Sequence, residues 1–184
     1  MTALTKPRMT VDEYLAWAID RPGRYELFQG EVFAMSPETV GHLTTKAAVY
    51  SALGAGIRKS TLPCHVLPDG ATIRIDEHTA YEPDALVYCG AELPPTAIEI
   101  PSPIIIVEVL SPSTRRIDVS AKLSGYFRLP SVAHYLIVDL KQRVILHHAR
   151  STGDAILTRI IRDGSITLDP PGLELAVSDI FGAQ

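Results

Sequence analysis

Ile104-Ile105-Ile106-Val107-Glu108-Val109-Leu110 is the stretch from which the fold is read. Every residue but Glu108 is apolar, so neighbours on both faces of an extended chain would be buried. Such runs form central strands of sheets covered on two sides. Ser113 or Thr114 can cap a following helix from Arg116 to Arg128, stopped before Pro130. Tyr135 to Leu140 then reads as a strand. Strand, helix and strand in this order predict a parallel pair joined by a right-handed crossover. Val144 to Ala149 adds a strand across Lys141-Gln142, and Ile156–Ile161, Ile166–Leu168 and Leu173–Val177 form an antiparallel tail.

Upstream, Thr10-Val11-Asp12-Glu13 is a capping box that starts a helix running to about Ile19. Tyr25–Phe28 and Glu31–Met35, joined by Gln29-Gly30, read as a hairpin. A second helix is expected over Gly41 to Lys59, with Leu43, Ala47, Tyr50, Leu53 and Ile57 on its buried side. His65 to Ile75 carries β-rich ends around Pro68-Asp69-Gly70, Glu82–Cys89 is a further strand, and Pro94–Pro103 is a proline-rich loop. The expectation is an α/β (mixed α+β) chain: one mixed sheet flanked by helices, with antiparallel hairpins. A single domain over 1–184 would have its core at about 10–150 and the antiparallel tail at 151–184.

The chain has 184 residues, 17 Lys plus Arg against 21 Asp plus Glu, and a net charge of −4. That balance argues against a protein whose main work is coating nucleic acid, though not against an enzyme that touches it locally. Composition is ordinary for a folded chain, with 46% hydrophobic and 21% charged residues. Cys64 and Cys89 make no disulfide framework and no zinc-finger spacing. No leader is expected at Met1–Met9, and no run approaches the ~20 apolar residues of a membrane span, so a cytoplasmic protein without membrane contact is expected.

Glu108 is the most informative polar residue, because a carboxylate in that strand needs a cation, a metal or several donors. Arg115 or Arg116 could supply a purely structural partner. Asp84, after Pro83, is either a strand-start turn residue or a second acid beside Glu108; two converging carboxylates suit Mg²⁺. Asp118, Lys122 and Tyr126 follow at four-residue spacing. They are either a solvated helix face or a means of aiming Lys122 at the end of the Glu108 strand. Glu26 and Glu31 flank the first hairpin turn and could be a surface pair. His42 opens the second helix and could be merely structural, while His147 and His148 alternate faces and cannot share one metal as neighbours.

Taken in order, Tyr25-Glu26-Leu27-Phe28-Gln29-Gly30-Glu31, Glu82-Pro83-Asp84, Val107-Glu108-Val109-Leu110-Ser111-Pro112-Ser113-Thr114 and Asp118/Lys122/Tyr126 resemble the Uma-two family of restriction-endonuclease-like proteins. That family is a branch of the PD-(D/E)XK nuclease-like superfamily, and the likeness runs from about Thr10 to about Leu146. The resemblance implies a four-stranded mixed core sheet flanked by helices. It also implies Asp84 and Glu108 as ligands of Mg²⁺ or Mn²⁺, and a lysine that assists attack of water on a phosphodiester. The superfamily's usual lysine position is Leu110 here, and Lys122 on the next helix is the substitute. Glu26 corresponds to an accessory acid and His42 to the family's histidine, with Tyr126 beside them. The expected function is a Mg²⁺-dependent DNA endonuclease; the rival is a catalytically inactive module of the same fold that binds a protein or a nucleic acid. A basic rim of Arg115, Arg116, Arg74 and Lys46 would favour the nuclease. A homodimer would suit a double-strand cut.

Overall fold

The computed structural model describes residues 8–110, 119–153 and 155–182. Arg115, Arg116, Asp118 and the proposed caps Ser113 and Thr114 lie outside them. Helix α1 (Val11–Ala18) begins with the expected capping box: the Glu13 N–H donates to Thr10 Oγ1, and the Glu13 carboxylate accepts from the Thr10 N–H at 2.7 Å. Strands β1 (Tyr25–Phe28) and β2 (Glu31–Ala34) pair as the expected hairpin. Helix α2 (Val40–Lys59) follows, then β3 (Cys64–Pro68), β4 (Ile73–Asp76), β5 (Thr79–Tyr81) and β6 (Ala85–Cys89). The central run forms β7 (Pro103–Val109), followed by α3 (Val119–Phe127) and β8 (His134–Asp139). The chain continues through β9 (Val144–Arg150), β10 (Ile156–Ile161), β11 (Ser165–Leu168), β12 (Leu173–Ala176) and α4 (Val177–Phe181).

The principal sheet is six-stranded and mixed, in the order β10-β9-β8-β7-β6-β3. Its parallel pair is β7 and β8, Glu108 opposite Ile137, with α3 in the crossover. A second, antiparallel sheet has the order β2-β1-β5-β4, and β11 with β12 forms a separate hairpin. One face of the large sheet (Ala85, Val87, Ile105, Val107, Val109, Leu136, Val138) packs on Val49, Leu53 and Ile57 of α2 and on Ile166, Leu168, Leu173 and Leu175 of the β11–β12 hairpin. The opposite face (Leu86, Ile106, Tyr135, Ile137) meets Tyr126 of α3 and Ile73 and Tyr81 of the second sheet. β7 is therefore covered on both sides, as an all-apolar strand requires.

Several expectations need correction. The sheet has six strands rather than four, because β10 of the tail joins β9 along its whole length and β3 extends the other edge. The β-rich ends of His65–Ile75 go to different sheets: β3 pairs with β6, and β4 pairs with β5, a short strand that the sequence pattern does not reveal. Cys64 and Cys89 stand opposite each other in the β3–β6 register and are joined as a disulfide, so two cysteines distant in sequence do form a link. The buried face of α2 is rotated from the expected one. Leu43 and Tyr50 are 50% and 40% exposed, while His42, Thr45, Lys46, Val49, Ala52, Leu53 and Ile57 are buried. The apolar residues Leu43, Ala47 and Tyr50 lie outward because the inward positions near the helix start are held by His42, bonded to Val109 O at the end of β7, and by Lys46, paired with Asp84, Glu38 and Asp69. Among the described residues no helix is long and apolar enough to cross a membrane.

Candidate active site

The acids collect at the carboxyl end of β7. The antiparallel β6–β7 register ends with Ala85 opposite Val107, so Asp84, one residue before β6, stands at the Glu108 end of β7. Pro83 and the turn before β6 put Asp84 at the strand start, where its N–H donates to Val107 O at 3.1 Å. Both acids are buried, at 5% and 4% exposure.

Each carboxylate has its own lysine. The Lys122 ammonium lies 2.8 Å from Glu108 Oε1 and 2.8 Å from Glu26 Oε1, and the Tyr126 hydroxyl donates to Glu108 Oε1 at 2.7 Å. Tyr81 closes this group, its ring centroid 5.4 Å from the Lys122 nitrogen. Lys122 is 5% exposed, so it belongs to the buried side of α3 and not to a solvated stripe. Helical spacing brings Lys122 and Tyr126, one turn apart, onto the same acid. Glu26 is likewise buried rather than part of a surface pair, and it also accepts from the Glu82 N–H at 2.9 Å, tying β1 to the loop before β6.

Asp84 turns toward α2. Its Oδ2 accepts from the Val109 N–H at 2.7 Å, and its Oδ1 lies 3.0 Å from the Lys46 ammonium. His42 donates from Nε2 to Val109 O at 2.8 Å and stands 3.9 Å from Asp84 Oδ2. A carbonyl can only accept, so the proton of neutral His42 is on Nε2. The buried Nδ1 has no hydrogen-bond partner among the described residues, although Glu38 Oε2 is 3.5 Å away. Lys46 also contacts Glu38 at 2.8 Å and Asp69. Arg24 bridges Glu38, Asp69 and Glu82. Hence Lys46 and Arg74 do not form the expected basic rim: Lys46 is enclosed by acids, and Arg74 is paired with Asp12 and Glu99.

The electrostatics are unbalanced. Six carboxylates (Glu26, Glu38, Asp69, Glu82, Asp84, Glu108) surround three cations (Arg24, Lys46, Lys122), so with His42 neutral the ionised group carries three excess negative charges. Burial pushes Glu108 up to about 7; Lys122 opposes the rise, while Asp84 and Glu26 add to it. Burial also raises Glu82 against the pull of Arg24. Lys122 is raised despite its burial, because Glu108 and Glu26 hold its proton. Low dielectric makes such an excess costly, and either a proton or a cation relieves it. Among the described residues no three His, Cys, Asp or Glu side chains are gathered as a ready ligand set. The donor chemistry still suits a hard divalent ion, since Mg²⁺ takes carboxylate oxygens from one or two residues and keeps several waters.

Arg24, Glu38, Asp69 and Glu82 did not emerge as site residues from the sequence. Glu82-Pro83-Asp84 carries the only local hint, an acid two positions before Asp84. The others come from separate elements that only the folded chain brings together.

This arrangement lies within a chain whose residues 11–178 match the family model described as "Putative restriction endonuclease" (Uma2). An uncharacterized protein of Synechocystis, slr1290, is 29% identical over 185 residues, covering 95% of this chain and 92% of that one. A crystal structure of a putative nuclease belonging to DUF820 from Anabaena variabilis shares the fold with a TM-score of 0.71 at 16% identity, over 94% of this chain and 97% of that one. With the family match spanning nearly its whole length, the chain belongs to the Uma2 restriction-endonuclease-like family.

Proposed function

We propose that the protein is a metal-dependent endonuclease that hydrolyses phosphodiester bonds in DNA, with Asp84, Glu108 and Lys122 at its centre. The observation that carries this reading is the buried Glu108 carboxylate, which shares a single lysine with buried Glu26 while Asp84 adds to the negative charge it meets, a surplus that a divalent cation would neutralise. Asp84 and Glu108 would hold Mg²⁺ or Mn²⁺. Such an ion supplies Lewis-acid polarisation of the phosphate and lowers the pKa of water.

The chain's own groups have distinct tasks in this reading. Lys122, between Glu26 and Glu108, would hold water beside the phosphate and offset developing negative charge. Tyr126 and Glu26 fix the Lys122–Glu108 geometry. His42 and Lys46 orient Asp84, His42 through Val109 O and Lys46 by direct contact. The test is incubation with supercoiled plasmid and with single-stranded DNA and RNA, each with Mg²⁺, Mn²⁺ or chelator. Metal-dependent cleavage of DNA, lost in Glu108→Gln and Asp84→Asn proteins that still fold, is the expected result. A folded wild-type protein that cuts nothing under all these conditions would leave the non-catalytic binding module as the better reading.

A further inference from the structure

Beside the acid cluster lies a cavity of about 360 Å³ lined by residues of α1, the α1–β1 turn and the loops at Asp69–Thr72, Glu82 and Ile98. Its volume is within the roughly 300–1,000 Å³ of small-molecule pockets. The rim is apolar: Leu15 and Ala18 line it, and Ile19 and Ile98 stand 69% and 46% exposed. The floor is polar, made of Arg24, Asp69 and Glu82.

The floor has a defined hydrogen-bonding character. Arg24 holds both carboxylates on one guanidinium, its Nε donating to Glu82 Oε1 at 2.6 Å and its Nη1 to Asp69 Oδ2. All bonds to Asp69 fall on Oδ2 and all bonds to Glu82 on Oε1. Asp69 Oδ1 and Glu82 Oε2 thus have no partner among the described residues, and neither is enclosed. Around one planar cation the floor thus offers two carboxylate oxygens without partners among the described residues, and Arg24 Nη2 without a hydrogen-bond partner among them, under an apolar rim. An anion would be repelled here, and an alkyl chain would leave the acceptors unmet. A flat ring with two adjacent N–H donors satisfies both floor and walls. The cavity adjoins the site directly, because the Glu82 N–H is bonded to Glu26, the partner of Lys122.

We propose that this cavity is a nucleobase pocket, taking guanine through its N1–H and N2–H₂ edge from a nucleotide next to the cleaved phosphate. The assignment rests on the nucleic-acid reading above. It predicts a preference for guanine beside the cut, and a base unstacked from its neighbours.

Trp17, the single tryptophan, touches Tyr25 of the cavity wall with ring centroids 4.9 Å apart, so its fluorescence reports occupancy without any cleavage. Titration of the whole chain with guanosine in chelator should give a saturable change, checked by equilibrium dialysis. Thymidine, which presents one N–H between two carbonyls, should bind at least about tenfold more weakly. Ile98→Arg, a substitution at an exposed loop position, supplies its own donors to the floor and should abolish guanosine binding while leaving the fold intact. No saturable guanosine binding by either method, equal affinity for thymidine, or binding unchanged in Ile98→Arg overturns the proposal. Guanosine binding by a protein that cleaves no nucleic acid keeps the pocket and defeats the hydrolytic reading, so the two fail separately.

Discussion

Lys122→Met is the most informative single change. Methionine keeps most of the apolar stem but removes the ammonium that lies 2.8 Å from both Glu26 and Glu108 and over the Tyr81 ring. Deleting one partner of a buried ion pair leaves an uncompensated charge and costs about 3–5 kcal/mol. That is a large share of the roughly 5–15 kcal/mol that stabilises a typical domain. The pH dependence follows from Glu108. Its folded pKa of about 7 lies above the ordinary 4.5, so its contribution to stability is fully present below 4.5 and is lost as pH rises through 7. Without Lys122 the folded pKa moves higher still, and the loss continues to higher pH. The variant should therefore be destabilised most near about pH 8 and less near about pH 5, where Glu108 is protonated in both proteins. Urea unfolding at the two pH values measures this. Lys122→Met/Glu108→Gln should recover a large part of the loss at the higher pH, because no charge is then left at position 108. A loss below about 1 kcal/mol at the higher pH, or the same loss at both, would refute the buried-charge account.

Other perturbations separate the structural supports. The Cys64–Cys89 link closes a loop with a sequence separation of 25, so Cys64→Ala/Cys89→Ala should cost about 3 kcal/mol under oxidising conditions and much less with reductant present, read by denaturant melts. His147, 2% exposed and 2.9 Å from His134 Nδ1, is lowered to about 4 by burial and then by the neighbouring His134, Arg159 and His148. Its contribution is present above 6.5 and lost as pH falls through 4, by up to about 3 kcal/mol, and His147→Gln should flatten the stability profile across that window. At Gly125 an added Cβ would meet Tyr81 Cε2 at 2.9 Å and its hydroxyl at 3.3 Å. Gly125→Ala should then cost about 1–3 kcal/mol in thermal unfolding through displacement of the ring over Lys122, whereas an unchanged melting temperature would mean that the ring yields freely.

The order of elements was legible where one physical signal dominated. The apolar run at Ile104–Leu110 marked a strand covered on both faces, and its crossover to β8 set the parallel pair. The Thr10–Glu13 capping box and the Gln29-Gly30 turn marked their elements through local chemistry alone. Illegible features depended on distant partners. β5 has only three residues, Thr79–Tyr81, too few for an alternation to register, and it exists because β1 and β4 flank it. The Cys64–Cys89 pair required knowing that β3 lies against β6 rather than folding back on β4.

Helix α2 shows why the candidate site was only half legible. An amphipathic reading assigns the apolar positions inward, which gave Leu43, Ala47 and Tyr50 the wrong face. The folded helix instead buries His42 and Lys46 in its first turns and places apolar contacts such as Val49, Leu53 and Ile57 further along. Three polar side chains on the inner face, His42, Thr45 and Lys46, violate the binary pattern, and they are tolerated because His42 Nε2 bonds Val109 O, Thr45 bonds Gly41 O, and Lys46 meets Asp84, Glu38 and Asp69. The same logic applies to α3, where the spacing of Lys122 and Tyr126 fits either a solvated face or a reach toward Glu108, and the fold takes the second. In both helices residues that break the packing rule reach the acids at this end of the sheet, Lys46 to Asp84 before β6 and Lys122 to Glu108 on β7. The local sequence nominates Asp84 and Glu108 from their strand context and aims Lys122 toward Glu108, but nothing in it pairs Lys46 with Asp84. The geometry divides the two lysines: Lys46 of α2 reaches Asp84, just before β6, together with Glu38 and Asp69, while Lys122 of α3 reaches Glu108 of β7 together with Glu26.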